Sequence, residues 1–179
     1  MTFTTYEKII RTLTDIDARY RVLHHPPEGE TTAASRLRNH ALAQAAKSLV
    51  VRVAVGKRQR HYVLAVVPGH RFVDLARLCQ LVGGTRAAFA DRAVAERMGG
   101  GVSGSIPPIS FDPDLQVIVD PEVLSHNELY FNAARLDRSI ALATGDYLVA
   151  ARPRVESIAC ERASGPTAPT VATGSGAVD

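Results

Sequence analysis

A run of glycines that ends in two prolines, GGGVSGSIPP at residues 99–108, is the most distinctive pattern in this chain. The spacing G-x-G-x-x-G, which binds the pyrophosphate of a dinucleotide, is matched by Gly99, Gly101 and Gly104. That function needs a strand before the glycines and a helix after them. Here residues 91–98 predict a short helix before the loop, and the two prolines favour an extended path after it. The sequence therefore argues against a dinucleotide-binding loop.

Two serines in this loop, Ser103 and Ser105, are candidate nucleophiles. A nucleophile elbow requires G-x-S-x-G on a turn between a strand and a helix. Around Ser103 the second glycine is replaced by Ser105, and prolines follow where a helix should start. We therefore expect small polar residues that suit a tight loop, and not a covalent serine mechanism.

The histidines and cysteines lack the spacings typical of a metal site. His24 and His25 are adjacent, so on a strand their rings point to opposite faces. The other four histidines form neither H-x-x-x-H nor H-E-x-x-H. Cys79 and Cys160 lie far apart without a C-x-x-C partner, which also argues against a disulfide framework. We predict no metal and no cofactor.

Lys47 is a candidate because it lies where a predicted alanine-rich helix gives way to the strand SLVVRV. A lysine between apolar neighbours either extends its ammonium group to solvent or presents it to a cleft. From its position alone, a solvated lysine is the simpler interpretation. Among the acidic residues, Asp74 and Asp120 are predicted to start a helix and a turn, and Asp137 to close a turn or to face a pocket.

The elements that must position these residues are short helices and short strands. Helical spacing predicts helices at Thr5–Arg19, at 75–82 and at 91–98, and a further helix that Thr31 or Thr32 caps and that continues to about Ala46. Strands are predicted at YRVLHH, SLVVRVAV, HYVLAVV, TRAAFA, LQVIVD, ELYFNA and SIALAT. The second and third strands are joined by GKRQR, a hairpin signal. With helices mainly in the first half, the pattern predicts an α+β fold with a mixed, mainly antiparallel sheet or partial barrel and flanking helices.

Composition is that of an ordinary globular chain. The 179 residues are 46% hydrophobic and 22% charged, and we predict one domain at 1–162 and a disordered tail at 163–179 that has little to bury. No run is long enough for a membrane span, and the cytoplasm is the expected compartment. The net charge of +3 permits an anionic partner, and the hairpin residues Lys57, Arg58 and Arg60 either touch phosphates or are simply solvated.

Several motifs in the same order resemble the YbaK/prolyl-tRNA-synthetase-associated editing domain, above all its small stand-alone members of the YeaK type. They are QAAKSLVVRV, HYVLAVVPGHRFVDLARLCQLVGGTRAAFA, GGVSGSIPPISF, VIVDPEVL and LYFNAARLDRSIALATGDYL. The resemblance covers about Arg21 to Ile158. It implies a free-standing hydrolase that deacylates mischarged tRNA carrying a small amino acid such as serine, threonine, alanine or cysteine.

The resemblance also implies site residues. The family's lysine corresponds to Lys47, and the glycine loop, which forms a wall of the pocket, to Gly100, Ser103, Gly104, Ser105, Ile106, Pro107 and Pro108. The asparagine and aspartate of the family's FNAGxLD pattern correspond to Asn132 and Asp137. We expect the loop's backbone N–H groups to stabilise a negatively charged oxygen as the ester carbonyl becomes tetrahedral, and Lys47 to place its positive charge beside that oxygen or beside the terminal phosphate. The sequence identifies no general base.

This chain departs from the family's pattern at three positions, Ala45, Ile109 and Ala134, and these departures bear on the choice of amino acid. Two other functions stay open at this point. One is a non-catalytic module that binds tRNA or a synthetase, with the basic residues holding phosphates. The other is a hydrolase of small free esters. The oligomeric state and any need for a synthetase partner cannot be read from the sequence.

Overall fold

The computed structural model describes residues 2–162 and Gly165. Its fold is built mainly from β-sheets. The strands within this part are β1 Tyr20–His24, β2 Ala46–Val55, β3 Gln59–Pro68, β4 Phe72–Val73, β5 Arg86–Phe89, β6 Leu115–Val119, β7 Glu128–Arg135, β8 Arg138–Ala143, β9 Arg154–Val155 and β10 Ala159–Cys160. The helices are α1 Thr5–Asp15, α2 Thr31–Leu37, α3 Leu75–Leu81, α4 Arg92–Gly99 and α5 Thr144–Ala151, with short 3₁₀ helices at Leu42–Gln44 and Pro121–Ser125.

The described strands form three sheets. The largest has the order β5-β2-β3-β6-β9, in which β5, β2 and β3 are antiparallel and β6 and β9 run parallel to their neighbours. A second, antiparallel sheet has the order β1-β8-β7, and β4 pairs with β10. A parallel bridge between Ala45 and Tyr130 joins the first two sheets at the start of β2. The predicted α+β class with mixed, mainly antiparallel sheets is confirmed, and the described strands do not close into a barrel.

Alternation along β2 and β3 supplies two apolar cores, one on each face of the large sheet. On one face Val50 and Leu64 pack with Ile9 and Leu13 of α1 and with residues from β6, β7 and β8. On the other face Val51 and its neighbours pack against α3. Burial of both faces explains the nearly continuous apolar sequence of β3.

Local signals predicted most elements. The hairpin is confirmed, with Gly56 in a left-handed conformation (φ +63°) in its turn. Thr4 caps α1 in a reciprocal arrangement with Glu7, and Asp74 caps α3 by accepting from the Arg77 N–H. Asp120 starts the second 3₁₀ helix, as predicted.

The second helix was predicted wrongly. It ends at Leu37 and not near Ala46, and its cap is Glu30, whose carboxylate accepts from two N–H groups, and neither Thr31 nor Thr32. Asn39 follows in a left-handed conformation (φ +55°), which reverses the chain, and Ala45 is extended against β7. The first helix is also shorter than predicted, ending at Asp15.

Within the part of the chain that the structure describes, no helix is both long and apolar enough to cross a membrane. The predicted tail at 163–179 lies outside the described residues except for Gly165, so the domain boundary at residue 162 stays a prediction.

Candidate active site

A cavity of about 250 Å³ opens where the start of β2, the N-terminal end of α2, the glycine loop and β7 meet. Its lining comes from these four segments and consists of Gly29, Thr31, Ala34, Arg38, Ala45, Ala46, Lys47, Ser48, Leu49, Gly104, Ile106, Tyr130, Phe131 and Asn132. Four of the predicted site residues therefore meet in one place: Lys47, Gly104, Ile106 and Asn132.

Lys47 is the second residue of β2, and its ammonium group is held by the segment that follows β3. The Nζ atom donates to the carbonyls of Gly69 at 3.3 Å and Arg71 at 2.5 Å, and it lies 5.0 Å from the centroid of the Phe72 ring. Burial lowers the pKa of Lys47, and the negative charge of Glu30 opposes that shift. The ammonium has a third proton for which the described residues offer no acceptor. Backbone carbonyls therefore position the half-buried lysine, and its ammonium group does not extend freely into solvent.

The first part of the glycine loop is fixed by helix α4. Gly100 ends this helix in a left-handed conformation (φ +72°), as a C-terminal cap commonly does. The backbone N–H and the hydroxyl of Ser103 both donate to the Glu96 carboxylate at 2.8 Å. Hydrogen bonds from Arg92 and then from Ser103 lower the pKa of Glu96 to about 2. Ser103 thus anchors the loop and does not line the cavity.

Gly104 is where the loop reaches the cavity. It has φ +87°, and a Cβ atom there would lie 2.6 Å from the Gly29 backbone. Both constraints require glycine. The N–H groups of Gly104 and of Ile106 donate to no acceptor among the described residues, so two backbone donors border the cavity.

The rest of the loop is buried against the sheet. The hydroxyl of Ser105 donates to the Val102 carbonyl at 2.9 Å, and the backbone carbonyl of Ser105 accepts from the backbone N–H of Ala134. The Tyr147 hydroxyl donates to the Pro108 carbonyl at 3.0 Å, and Pro107 is buried as well. Ser105, Pro107 and Pro108 therefore support the loop from behind and do not line the cavity.

Asn132 joins three segments through its side-chain amide. Its Nδ2 group donates to the carbonyls of Glu28 at 2.8 Å and Gly104 at 2.9 Å. Its Oδ1 atom accepts from the Ser139 hydroxyl at 2.8 Å and from Arg38 at 3.2 Å. All four hydrogen-bonding positions of the amide are used, which fixes its orientation.

Asp137, by contrast, lies in the turn between β7 and β8. Its carboxylate pairs with Arg135 at 2.9 Å, and hydrogen bonding to that guanidinium lowers the pKa of Asp137 to about 2. The register shifts between Asn132 and Arg135, and Ala134 in that bulge has φ +60°. Ala134 therefore occupies a backbone conformation that favours glycine, the residue of the family's pattern.

Arg38 and His40 escaped the sequence reasoning. The Arg38 guanidinium borders the cavity, donates to Asn132, Ser139 and His40, and forms no ion pair with any described carboxylate. Burial lowers the pKa of Arg38 to about 10. His40 stacks on Tyr130 with ring centroids 3.8 Å apart, and burial lowers the pKa of His40 to about 4. Its Nε2 atom accepts from Arg38 and its Nδ1 group donates to the Ala41 carbonyl, which matches a neutral ring.

Ser48 was also missed. Its Oγ atom is buried and has no hydrogen-bond partner among the described residues, although Ser48 lines the cavity. A buried hydroxyl is normally paired, so an unpaired one in a residue that lines a cavity is a candidate for ligand binding. No periodicity would have found it, because only the tertiary structure shows that the hydroxyl is unpaired.

Known proteins are similar to this chain over most of its length. A family model described as "Aminoacyl-tRNA editing domain" matches residues 25–149. The chain is 38% identical over 152 residues to the Multifunctional Ser/Thr-tRNA deacylase ProXp-y of Escherichia coli strain K12 and to that of strain O157:H7, covering 84% of this chain and 90% of the relative.

Solved structures share the fold. One is hypothetical protein APE2540, with a TM-score of 0.76, 19% identity, and coverage of 86% of this chain and 99% of the other. Another is a proposed trans-editing enzyme for prolyl-tRNA synthetase, with a TM-score of 0.71, 20% identity, and coverage of 88% and 98%.

Proposed function

Because this chain belongs to the aminoacyl-tRNA editing domain family, we propose that it is a trans-editing deacylase, which hydrolyses the ester between a wrong amino acid and its tRNA. The substrate is a mischarged aminoacyl-tRNA, and the products are free amino acid and uncharged tRNA. Water attacks the ester carbonyl, and the carbonyl oxygen becomes negatively charged in the tetrahedral state.

The arrangement of positive charge and N–H donors around the cavity is the observation that carries this proposal. Lys47, Gly104 and Ile106 all line the same cavity, and the N–H groups of Gly104 and Ile106 have no acceptor among the described residues. Such preorganised donors stabilise a developing oxyanion without reorientation during the reaction. The support of Lys47 by two carbonyls and of Gly104 by Asn132 gives this arrangement its rigidity.

The protein contributes charge and positioning, and not a general base. None of the residues that line the cavity carries a carboxylate or an imidazole ring. His40 lies behind the cavity with both ring nitrogens engaged. We therefore assign the orientation of the attacking water to a hydroxyl of the substrate's terminal ribose, which lies next to the ester.

A small hydroxylated amino acid suits the cavity best. Its volume of about 250 Å³ must also hold the terminal ribose, so the space for a side chain is limited. The unpaired Ser48 hydroxyl would exchange a hydrogen bond with the hydroxyl of serine or threonine. The two similar Escherichia coli proteins are named as Ser/Thr-tRNA deacylases, which favours the same two amino acids over alanine and cysteine.

The test is a deacylation assay with tRNAs charged with serine, threonine, alanine, cysteine or proline. The protein should hydrolyse seryl- or threonyl-tRNA, and Lys47→Ala should lower the rate about a hundred- to a thousandfold. Lys8→Ala is the matched control, because Lys8 also lies near a phenylalanine ring, at 5.9 Å from that of Phe111, but outside the cavity.

Two results would contradict the proposed function. If no charged tRNA is hydrolysed while tRNA still binds, the chain is a binding module and not a deacylase. If small free aminoacyl esters are hydrolysed as fast as charged tRNA, the tRNA is not the preferred substrate.

A further inference from the structure

Positive charge is concentrated in one part of the sequence. Residues 31–90 contain ten lysines and arginines, and Asp74 is their only acidic residue. The net charge of the whole chain is only +3, so the acidic residues must lie mostly elsewhere. Charge is therefore unevenly distributed along the sequence although its total is modest, which makes the position of these basic residues informative.

Pairing of the strands brings three of these arginines onto one face of the large sheet. Ala54 of β2 lies directly opposite Arg60 of β3 and Arg86 of β5. Arg52 lies two residues before Ala54 and so projects from the same face. Between the three arginines is a hollow of about 130 Å³, which also borders Ala54 and Ala88. We call Arg52, Arg60 and Arg86 the arginine cluster.

The arginine cluster has no counter-charge. Several exposed arginines elsewhere in residues 2–162 form ion pairs, such as Arg19 with Asp146 and Arg154 with Glu156, whereas others, such as Arg77, do not. No member of the cluster pairs with a described carboxylate, and the Arg60 side chain donates only to the carbonyl of Gln59. Three unpaired guanidinium groups around one hollow repel one another, and a bound anion removes that repulsion.

One member of the cluster, Arg52, lies on β2, the strand that also lines the cavity. Ser48 lines the cavity, and residues 48, 50, 52 and 54 alternate onto one face of β2. At about 3.3 Å per residue, Arg52 lies about 13 Å from Ser48 and Ala54 about 20 Å. Along β2 the arginines therefore lie on the order of 13 to 20 Å from the cavity, with the buried Val50 between them. Past Arg60, the neighbouring hollow contains Asp112 and Asp114, which limit the positive surface on that side.

We propose that Arg52, Arg60 and Arg86 bind backbone phosphates of the tRNA whose charged 3′ end occupies the cavity. This inference rests on the proposed function, because it uses the tRNA that the function supplies. Guanidinium groups bind phosphate oxygens through paired N–H donors, and such contacts position a nucleic acid without reading its sequence. Lys57 and Arg58, in the adjacent hairpin turn, add to the attraction at longer range.

The experiment compares tRNA binding by two triple variants of the full chain over a range of salt concentrations, using uncharged tRNA. The test variant is Arg52→Gln, Arg60→Gln and Arg86→Gln. The control variant is Arg77→Gln, Arg152→Gln and Arg162→Gln, which removes the same charge from exposed arginines without a described ion pair elsewhere. Circular dichroism and thermal unfolding confirm that both variants fold.

The slope of log affinity against log salt concentration should be smaller in magnitude for the test variant by about two to three. Each lost phosphate contact removes roughly 0.7 to 0.9 from that slope. Its deacylation should show a raised KM and an unchanged kcat at saturation. A slope equal to that of the control variant overturns the proposal even if the wild-type protein deacylates tRNA. Absence of salt-sensitive tRNA binding by the wild-type protein also overturns it. Loss of the proposed function alone would instead appear as binding without hydrolysis.

Discussion

The side chain of Asn132 holds the backbone of Gly104 in place, because its Nδ2 group donates to the Gly104 carbonyl at 2.9 Å. The same amide group also donates to Glu28, the neighbour of Gly29, against whose backbone Gly104 packs. One side chain on β7 therefore sets the distance between the two loops that border the cavity. Asn132 therefore helps to position the N–H group of Gly104, in addition to the contacts of Ser103 and Ser105 that hold the rest of the loop.

Gly104→Ala should abolish most of the deacylase activity. The new Cβ would lie 2.6 Å from the Gly29 backbone, so the loop must move, and displacement of a positioned group by about 1 Å costs roughly a hundredfold in rate. Gly83→Ala is the control for backbone strain alone, since Gly83 has φ +67° with nothing within 4 Å of a Cβ. It should lose about 1 kcal/mol of stability and keep its activity. Equal activity of the two variants would contradict the role of the contact with Gly29.

Asn132→Ala should lower both stability and kcat. The substitution leaves the Glu28 and Gly104 carbonyls and the Arg38 guanidinium without this partner, at a cost of about 2 to 3 kcal/mol in the free energy of unfolding. Urea unfolding measures the first effect and single-turnover deacylation the second. Asn127→Ala, at an exposed asparagine, should change neither. A variant with wild-type kcat would show that the glycine loop does not need this support.

Ser48→Ala should change the choice of amino acid. Loss of one neutral hydrogen bond to a serine or threonine side chain should lower kcat/KM for those tRNAs about three- to tenfold. Alanyl-tRNA has no side-chain hydroxyl, so its hydrolysis serves as an internal control and should not fall. Stability should not decrease, because the hydroxyl has no partner in the free protein. An equal fall in kcat/KM for seryl-, threonyl- and alanyl-tRNA would show that Ser48 does not determine which amino acid is accepted.

The stability of the protein should fall as the pH drops from about 6.5 to about 4, in part because of His40. Burial lowers the pKa of His40 to about 4, so the unfolded chain binds a proton in this range that the folded chain does not. Stability therefore rises with pH across the window and is fully present above the unfolded pKa. His40→Phe keeps a ring beside Tyr130 and should make the pH dependence of the urea midpoint less steep. His61→Phe, at an exposed position, should leave the slope unchanged.

The sequence predicted those elements whose signals are local. The hairpin, α3 and the short strands follow from β-branched runs, glycines and caps close to them in the chain. The local sequence did not predict the path of residues 38–45. This alanine-rich segment favours a helix by itself, but Ala45 pairs with Tyr130, a residue far along the chain. Tertiary contact overrides helix propensity at that point.

The candidate site divides in the same way. Lys47 and Gly104 could be named because the resemblance rests on their motifs, whereas Arg38 and Ser48 needed the folded chain. The contacts of Arg38 with Asn132 and Ser139 join residues 94 and 101 positions away, and the significance of Ser48 lies in a missing partner. The loop residues behind the cavity were predicted as a wall of the pocket, but the structure places them as its support.

The carbonyls that hold Lys47 depend on the last strand of the described chain. They lie at Gly69 and Arg71, next to β4, which pairs with β10, and Arg71 also forms an ion pair with Glu161. Asp120 fastens the same strand by accepting from the N–H groups of residues 158 and 159. The match to the family model ends at residue 149, before that strand. A chain cut there would keep every residue that lines the cavity but lose the strand pairing and the ion pair beside the segment that holds Lys47, so we expect the smallest active unit to be longer than the motif by which it is recognised.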